Sequence, residues 1–482
     1  MPKLLPRLLG PLLWILIAWL GPADLSPAAR QSLGMAAWMV TWWMTEAAPL
    51  AATSLLPIAL FPVLGIAGTR EAAAPYASDL VFLFMGGFFL AAALEHWHVH
   101  TRIAYGMVLK IGLSGRRVVL GVMLATGFIS MWISNTATTA MMYPIAMAIG
   151  AMFGLGESAD RTRTALMLGV AYAASIGGMA TLIGSPPNLV TAGAIEQFTG
   201  RTIGFGEFML LGLPMVAVLL PACWALLVFV AFRTRLELGP EASHAIRDRQ
   251  RALGPLRGGE ARVLVIFVAT ALAWVLRDTK DLGSVTIPGL VELLPGLSDA
   301  SIAILCTVLL FVIPGRTGEG TVRPLLTWTE ARRIPWDVLL LFGGGLSLAA
   351  AMDGTGVTEW LGGRLAALEG APSVVIYLGI ALTVLILSEL ASNLAVAAMT
   401  MPIMVSLSAV TGEPVILLML VAGFAASTGF ALPIATPPNA IVFGSGQVSV
   451  RDMAKGGLLL DLVAVTVVTV VMLLLGRVVL GL

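Results

Sequence analysis

The chain has 482 residues, of which 58% are hydrophobic and 11% are charged, whereas charged residues make up roughly 25% of a soluble chain. This composition predicts a polytopic membrane protein. Twenty-eight Lys and Arg against 27 Asp and Glu leave a net charge of +1, which excludes the strong positive field that nucleic-acid binding needs. Cys223 and Cys306 both lie in apolar runs, which argues against a disulfide framework or a CxxC metal site.

Apolar runs of about 20 residues identify the predicted membrane crossings. In chain order they are 8–20, 33–45, 50–66, 79–95, 164–198, 207–232, 261–277, 301–314, 337–352, 414–446 and 456–476. Lys3 and Arg7 before the first run also fit a signal peptide, but the next apolar run follows at once and favours a first crossing. Two more apolar stretches, 117–154 and 373–410, are interrupted by polar Ser-Asn pairs. We expect them to be re-entrant hairpins.

The distribution of basic residues supports this arrangement, because cytoplasmic loops carry an excess of Lys and Arg. With a cytoplasmic amino terminus, 21 of the 28 Lys and Arg fall inside and 7 outside. Residues 233–262 contribute seven of the arginines, and the mixed charge of this insert predicts a solvated linker. The sequence therefore predicts an all-α protein with about eleven transmembrane helices in a bacterial-type inner membrane, with its carboxyl terminus outside.

An internal repeat relates the two halves of the chain. Residues 79–95 and 337–353 agree at nine of 17 positions. The same alignment pairs Ser130 with Ser388 and Ser134-Asn135 with Ser392-Asn393, and a slightly shorter offset pairs the Ser-Pro-Pro-Asn motif at 185–188 with the Thr-Pro-Pro-Asn motif at 436–439. Five predicted crossings separate the hairpins, and this odd number turns the second copy upside down. Inverted repeats are typical of transporters that bind substrate and ions between the two copies.

The hairpin tips and the Pro-Pro motifs carry the polar chemistry of the membrane segments. Tandem prolines cannot continue a helix, so the crossings at 164–198 and 414–446 are predicted to break inside the membrane. Each break frees carbonyls beside the side-chain oxygens of a tip, and an all-oxygen group suits a small cation. The first predicted cation site comprises Ser130, Ser134, Asn135 and the carbonyls of Ile183-Gly184, and the second comprises Ser388, Ser392, Asn393 and the carbonyl of Ala435.

Helices that start after each tip and each Pro-Pro pair direct their positive ends into the same space, where they favour an anion. No Lys or Arg lies in the four motifs, so co-bound cations and helix ends would balance an anionic substrate. Alternatively, serines in membrane helices bond back to backbone carbonyls. The occurrence of four motifs in two matched copies favours the functional interpretation.

Other polar residues leave alternatives open. His96, His98 and His100 resemble metal-ligand spacing, but no third ligand shares the face of His96 and His100, which favours interfacial polar residues. Glu46 and Glu389 are carboxyls at membrane depth that could relay protons, or could cap helices and bond between them.

Seven segments, in one order from about residue 38 to residue 446, resemble the signature segments of the divalent anion/sodium symporter family: WWMTEAAPL, FLFMGGFFLAAALE, SNTATTAMMYP, GSPPN, LLLFGGGLSLAAAM, SELASNLAVAAMTMP and ATPPN. The resemblance implies secondary active transport of di- or tricarboxylates, or of sulfate. It also implies a homodimer in the lipid bilayer, whose transport domain moves as an elevator against a fixed scaffold, and it implies that both cation sites hold sodium.

The resemblance further implies substrate contacts from the tips and breaks: Ser134, Asn135, Thr136, Ser185, Pro186, Ser392, Asn393, Leu394, Thr436 and Pro437. Two residues depart from the family pattern. Leu394 and Ser185 both stand where the motifs would have Thr. The serines of the cation sites are intact, so the sequence determines sodium coupling better than substrate identity.

The predicted function is sodium-coupled symport of C4-dicarboxylates such as succinate, malate or fumarate, with Na+ as coupling ion and no cofactor. The alternatives are a sulfate or other inorganic-anion carrier and a sodium-independent dicarboxylate exchanger. An enzyme is disfavoured because the chain has no HExxH or GxSxG motif. The predicted divisions are scaffold spans at 1–117 and 261–372, transport-domain spans with the hairpins at 118–232 and 373–482, and a cytoplasmic linker at 233–260.

Overall fold

The computed structural model describes residues 4–154, 156–234, 240–256, 258–281, 286–317 and 320–482. Helices dominate throughout. The helices of the first half are α1 (Leu4–Leu20), α2 (Pro27–Thr45), α3 (Leu50–Thr53), α4 (Leu56–Leu60), α5 (Thr69–Ala73), α6 (Asp79–His96), α7 (Val99–Ile111), α8 (Gly115–Ser130), α9 (Asn135–Ala151), α10 (Glu157–Gly178), α11 (Pro186–Thr199) and α12 (Phe205–Ala225), which a π-helical segment extends over Leu226–Ala231.

The second half is also mainly helical. It contains α13 (Pro240–Ala252), α14 (Gly258–Val275), α15 (Leu290–Leu293), α16 (Asp299–Val312), α17 (Trp328–Ala331), α18 (Trp336–Gly354), α19 (Val357–Arg364), α20 (Ser373–Leu390), α21 (Asn393–Thr411), α22 (Val415–Ala426), α23 (Pro437–Gly444), α24 (Val450–Val471), a second π-helical segment (Met472–Gly476) and α25 (Arg477–Leu480). Short 3-10 helices lie at Ala74–Ala77 and Ala366–Leu368.

Two small antiparallel ribbons modify the all-α prediction. Strand β1 (Lys280–Asp281) pairs with β2 (Thr286–Ile287), and β3 (Pro314–Arg316) pairs with β4 (Val322–Pro324). Both ribbons lie in connections between helices, where backbone groups that no helix satisfies can pair with each other. The fold is therefore mainly helical, with β structure confined to loops in the described part of the chain.

Among the described residues, seven helices are long and apolar enough to cross a membrane. They are Thr69–His96, Phe205–Ala231, Gly258–Val275, Trp336–Gly354, Ser373–Leu390, Asn393–Thr411 and Val450–Leu480. Five of them contain or closely match predicted crossings, and two are the arms of the second predicted hairpin. Shorter apolar helices coincide with the predicted crossings at 8–20 and 301–314. The total of eleven crossings stays a prediction.

The predicted crossing at 50–66 stays a prediction, and the chain there is not one continuous helix. The chain there forms α3 and α4, and turns follow α4 as far as Gly65. Pro57 and Pro62 lack the N–H that a continuous helix would use, so they interrupt the hydrogen-bond ladder of an otherwise apolar run. The linker at 233–260 also contains more structure than expected, because α13 packs against α7 and buries Ile246.

The tandem prolines break two helices, as predicted. Helix α10 ends at Gly178 and α11 begins at Pro186, while α22 ends at Ala426 and α23 begins at Pro437. Every residue of α10 from Ala165 to Gly178 is buried, and so is every residue of α22 after Val415. The breaks are thus enclosed by protein, where freed backbone groups can find partners away from lipid.

Candidate functional site

The first hairpin tip joins α8 to α9. Ser130, the last residue of α8, is fully buried, and its Oγ lies 2.9 Å from Asn135 Oδ1 and 2.7 Å from the carbonyl oxygen of Ala174 in α10. Both neighbours are acceptors, while a hydroxyl has one proton to donate. With Asn135 Oδ1 on this side of its amide, three oxygens meet around a single proton.

The carbonyl of Gly184 in the first break adds a fourth oxygen. The amide atom of Asn135 that faces Ser130 also lies 3.0 Å from the carbonyl oxygen of Ala174 and 3.1 Å from that of Gly184. In the turned orientation of the amide, the nitrogen occupies this position and donates to all three oxygens. In the other orientation, Oδ1 occupies it and completes a cluster of oxygens that a cation would satisfy. We call Ser130, Asn135 and the carbonyls of Ala174 and Gly184 the first oxygen cluster.

The second hairpin tip, between α20 and α21, has the same contacts. Ser388 is fully buried, and its Oγ lies 2.7 Å from Asn393 Oδ1 and 2.7 Å from the carbonyl oxygen of Ala426 at the end of α22. These three residues form the second oxygen cluster. Ala435, the other predicted contributor, is buried in the adjoining break. The two tips, which align in sequence, thus also have similar hydrogen-bonding distances around their serines.

The structure separates other predicted site residues from these clusters. Ser134 is the N-cap of α9, where its hydroxyl accepts a 3.4 Å hydrogen bond from Ala137 N, and Thr136 is exposed. Ser185 is buried, and Asn135 Nδ2 donates to its hydroxyl at 3.4 Å. The first cluster therefore contains Asn135 and approaches Ser185, whereas Ser134 has a helix-capping contact.

A corresponding division occurs in the second copy. Ser392 is the N-cap residue of α21, Asn393 is half-buried and Leu394 is buried among apolar side chains. Thr436 is buried and accepts a 3.2 Å hydrogen bond from Asn439 N. The two prolines at the starts of α11 and α23 face different surroundings, since Pro186 is half-buried and Pro437 is exposed.

Sequence reasoning did not assign the asparagines that follow the prolines, although both occur in the repeated motif. Asn188 Nδ2 donates to the carbonyls of Gly178 and Thr181 at 2.8 and 2.7 Å. Asn439 Nδ2 donates to the carbonyl of Leu432 at 3.0 Å. Each side chain thus binds across its helix break, and the repetition of Asn after Pro-Pro was the available signal.

Gly178 was also missed, and a larger residue there would collide with the side chain of Asn135. A Cβ on Gly178 would lie 2.1 Å from Asn135 Oδ1. A Cβ on Gly184 would lie 2.6 Å from the carbonyl oxygen of Gly178. The absence of side chains at Gly178 and Gly184 therefore allows the close approach of Asn135 and of the Gly184 backbone, two contributors to the first oxygen cluster.

Glu389 contacts the second break. Its Oε1 and Oε2 accept 2.8 Å hydrogen bonds from Ala431 N and Leu432 N, and Asp461 Oδ1 in α24 accepts one of 3.0 Å from Phe430 N. Of the two interpretations left open for Glu389, these contacts match capping and interhelical bonding. Two carboxyls thus hold three consecutive backbone N–H groups that the helix break leaves free.

A cavity of about 400 Å³ adjoins the first tip. Its lining includes Ser134, Glu95, His98 and Arg333. This cavity provides a space beside the amino terminus of α9, where the helix dipole favours negative charge.

The histidine cluster forms polar contacts at this cavity. His96 Nδ1 lies 2.9 Å from Glu330, and its Nε2 lies 2.8 Å from Arg323. Burial opposes ionisation of Glu330, but hydrogen bonds from Arg323 and Thr327 and the nearby His96 outweigh it and lower the pKa of Glu330. Over the described residues, no three His, Cys, Asp or Glu side chains meet as a metal-binding group.

An apolar helical bundle with matched polar clusters at two buried helix breaks is typical of a membrane transporter. The family model for the sodium:sulfate symporter transmembrane region matches residues 3–482. The chain belongs to this family, which confirms the resemblance found in the motifs. It is a multi-pass membrane transporter and not an enzyme.

Similar proteins agree with this assignment. The sodium-dependent dicarboxylate transporter SdcS of Staphylococcus saprophyticus is 39% identical over 487 residues, covering 99% of this chain and 92% of the relative. SdcS of Staphylococcus aureus is 39% identical over 489 residues, with the same coverage.

Two solved structures share the fold at low sequence identity. MtrF of Neisseria gonorrhoeae superposes with a TM-score of 0.56 at 12% identity, over 95% of this chain and 96% of the other. The YdaH transporter of Alcanivorax borkumensis superposes with a TM-score of 0.50 at 14% identity, over 86% and 87% of the chains.

Proposed function

We propose that this chain is a sodium-coupled symporter of C4-dicarboxylates such as succinate, malate or fumarate. The observation that carries the proposal is the pair of matched clusters at Ser130 and Ser388, in each of which a buried serine hydroxyl, an Asn amide and a backbone carbonyl converge. With the amide oxygens turned toward the serines, sodium would bind the oxygens of each cluster. The SdcS relatives, named as sodium-dependent dicarboxylate transporters, support sodium as the coupling ion and a dicarboxylate as the substrate.

The substrate would lie between the two tips and the two breaks. Helices α9, α11, α21 and α23 begin there, so their amino-terminal N–H groups can bind carboxylate oxygens. The bound cations would supply the remaining positive charge. Ion and substrate would consequently bind together, which is the thermodynamic requirement for coupling.

The two hairpin regions would move as one transport domain, comprising residues 118–232 and 373–482. Contacts across the repeat support this division: α11 packs against α21 and α22, and α23 packs against α9 and α10. Residues 1–117 and 261–372 would form the scaffold, with 233–260 as cytoplasmic linker. The proposal includes inverted repeats, elevator movement and a homodimer in the inner membrane, with the amino terminus inside and the carboxyl terminus outside.

Uptake into proteoliposomes tests the function. Radiolabelled succinate should accumulate with an inward sodium gradient and not with an equal choline gradient. Ser130→Ala should weaken sodium dependence because it removes one cluster oxygen. The matched control Thr126→Val removes a buried hydroxyl from the same helix, where it bonds to the carbonyl of Val122, and should retain wild-type sodium dependence.

The family name makes sulfate the second candidate substrate. Unlabelled sulfate should compete weakly with succinate if the proposal is correct. Sodium-driven sulfate uptake without succinate uptake would replace the proposed substrate. Succinate exchange at a rate that does not depend on sodium would instead support a sodium-independent dicarboxylate exchanger. It would contradict the assignment of the two oxygen clusters as sodium sites.

A further inference from the structure

The side chains of Asn188 and Asn439 are equivalent in sequence but bind their breaks with different geometry. Asn188 Nδ2 makes two short hydrogen bonds, at 2.8 and 2.7 Å, to the carbonyls of Gly178 and Thr181. Asn439 Nδ2 has one comparable bond, at 3.0 Å to Leu432, and lies 3.5 Å from the carbonyls of Gly429 and Phe430. The first break is therefore held more tightly by its amide than the second.

The orientation of Asn188 follows from its surroundings. The side chain is 1% exposed, and its Oδ1 has no hydrogen-bond partner among the described residues. A buried acceptor without a donor is unfavourable. The reverse orientation would place Oδ1 against the carbonyl oxygens of Gly178 and Thr181, which is less favourable because acceptors would then face acceptors. The Asn188 amide therefore acts here as a hydrogen-bond donor.

The residues that Asn188 holds pack directly on the first oxygen cluster. Gly178 approaches the Asn135 amide so closely that a Cβ would stand 2.1 Å from its oxygen. Gly184 packs against the carbonyl oxygens of Gly178 and Ser130, which would lie 2.6 and 3.0 Å from a Cβ. Gly184 N also donates to the carbonyl of Thr181 at 3.3 Å. A shift at Gly178 or Thr181 would consequently move cluster oxygens.

The second break has supports that the first lacks at the equivalent positions. Glu389 and Asp461 bind the N–H groups of residues 430–432 from two other helices. The alignment places Met131 opposite Glu389 in the first copy. Met131 offers a backbone carbonyl, to which Thr181 Oγ1 donates. Loss of the Asn439 amide would leave the carboxylate contacts of the second break intact.

We propose that Asn188 is a positioning residue that fixes the radius of the first cation site and thereby its preference for Na+ over Li+. This inference rests on the proposed sodium site at the first oxygen cluster. A cavity held at one size discriminates between cations of different radius, whereas a site with movable oxygens adapts to both. Asn439 has a smaller effect because Glu389 and Asp461 hold the second break.

The test uses the purified full-length protein in detergent and measures cation-dependent thermal stabilisation with NaCl or LiCl at constant ionic strength in choline chloride. Asn188→Ala should raise the half-saturating Na+ concentration roughly tenfold, because two buried hydrogen bonds are lost. The half-saturating Li+ concentration divided by the half-saturating Na+ concentration should move toward one, by about threefold or more. Asn439→Ala should change this ratio less than Asn188→Ala.

A general loss of stability would lower the melting temperature in choline without changing the ion ratio. If Asn188→Ala does not fold, Asn188→Ser keeps one donor and should give an intermediate shift. An unchanged Na+ half-saturation and ion ratio in a folded Asn188 variant would overturn the inference, as would an equal or larger ratio change in Asn439→Ala.

Ser130→Ala, measured in parallel, separates this inference from the proposed function. If Ser130→Ala weakens Na+ binding and the Asn188 variants do not, the positioning role alone is wrong. If neither change affects Na+ binding, the sodium site itself is wrong.

Discussion

Gly178→Ala is expected to disable the first cation site with a small change to the rest of the fold. The added Cβ would lie 2.1 Å from Asn135 Oδ1, 2.9 Å from its Cγ and 3.0 Å from its Nδ2, whereas ordinary contacts between non-bonded carbon atoms are about 3.5–4.0 Å. The amide must therefore move by roughly 1 Å or more. Since Asn135 Oδ1 is 2.9 Å from Ser130 Oγ, this movement breaks the first oxygen cluster.

The expected stability cost of Gly178→Ala is that of overpacking, about 1–3 kcal/mol. Displacing one oxygen ligand should raise the half-saturating Na+ concentration by at least about tenfold, which corresponds to about 1.4 kcal/mol. Sodium-dependent thermal stabilisation and sodium-driven succinate uptake would measure the effect. Gly379→Ala is the control, because Gly379 lies in α20 with no neighbour within 4 Å of its Cβ position. Wild-type sodium affinity in a folded Gly178→Ala protein would refute the assignment of Asn135 to the site.

Three other changes probe separate parts of the molecule. Ser388→Ala should weaken Na+ binding as Ser130→Ala does, and wild-type sodium titrations would contradict the second oxygen cluster. Leu394→Thr adds a hydroxyl to the first turn of α21, so it should tighten binding of succinate relative to a monocarboxylate of similar length by up to about tenfold; an unaltered ratio in competition assays would show that residue 394 does not contact substrate. At Glu413, burial opposes ionisation, but hydrogen bonds from Ser373, Tyr377 and Arg477 outweigh it and lower the pKa. The stabilisation from Glu413 is therefore complete above the usual Glu value of about 4.3 and is lost as pH falls through the lower folded value. Glu413→Gln should cost about 1.5–3 kcal/mol at pH 7 and progressively less in acid, and a melting-temperature difference that does not shrink would contradict this linkage.

The sequence by itself determined where most long apolar helices lie. It also located both helix breaks, because the absence of an N–H in proline acts locally whatever surrounds it. Ser130 and Ser388, which the repeat aligned, also have equivalent hydrogen bonds to backbone carbonyls, whereas the cation sites themselves stay a prediction. At residues 50–66 the apolar run alone did not indicate the interruption of the helix, which occurs next to Pro57 and Pro62.

The tertiary structure decided which polar residues meet. Ser134 and Asn135 are neighbours in one motif, yet Ser134 caps α9 while Asn135 approaches Ser130 and Gly184. The spacing of residues along a motif cannot distinguish these roles, because a residue at a helix start can direct its side chain to its own backbone or to another helix.

The roles of Gly178, Asn188 and Glu389 depended on long-range packing in the same way. Gly178 touches Asn135 across helices, and Asn188 binds the end of the preceding helix. Glu389 reaches a break more than 40 residues away in the chain. Sequence patterns report propensity and periodicity. These contacts exist because close packing brings groups that are distant in the chain within hydrogen-bonding distance, and leaves room beside Gly178 for the side chain of Asn135 alone.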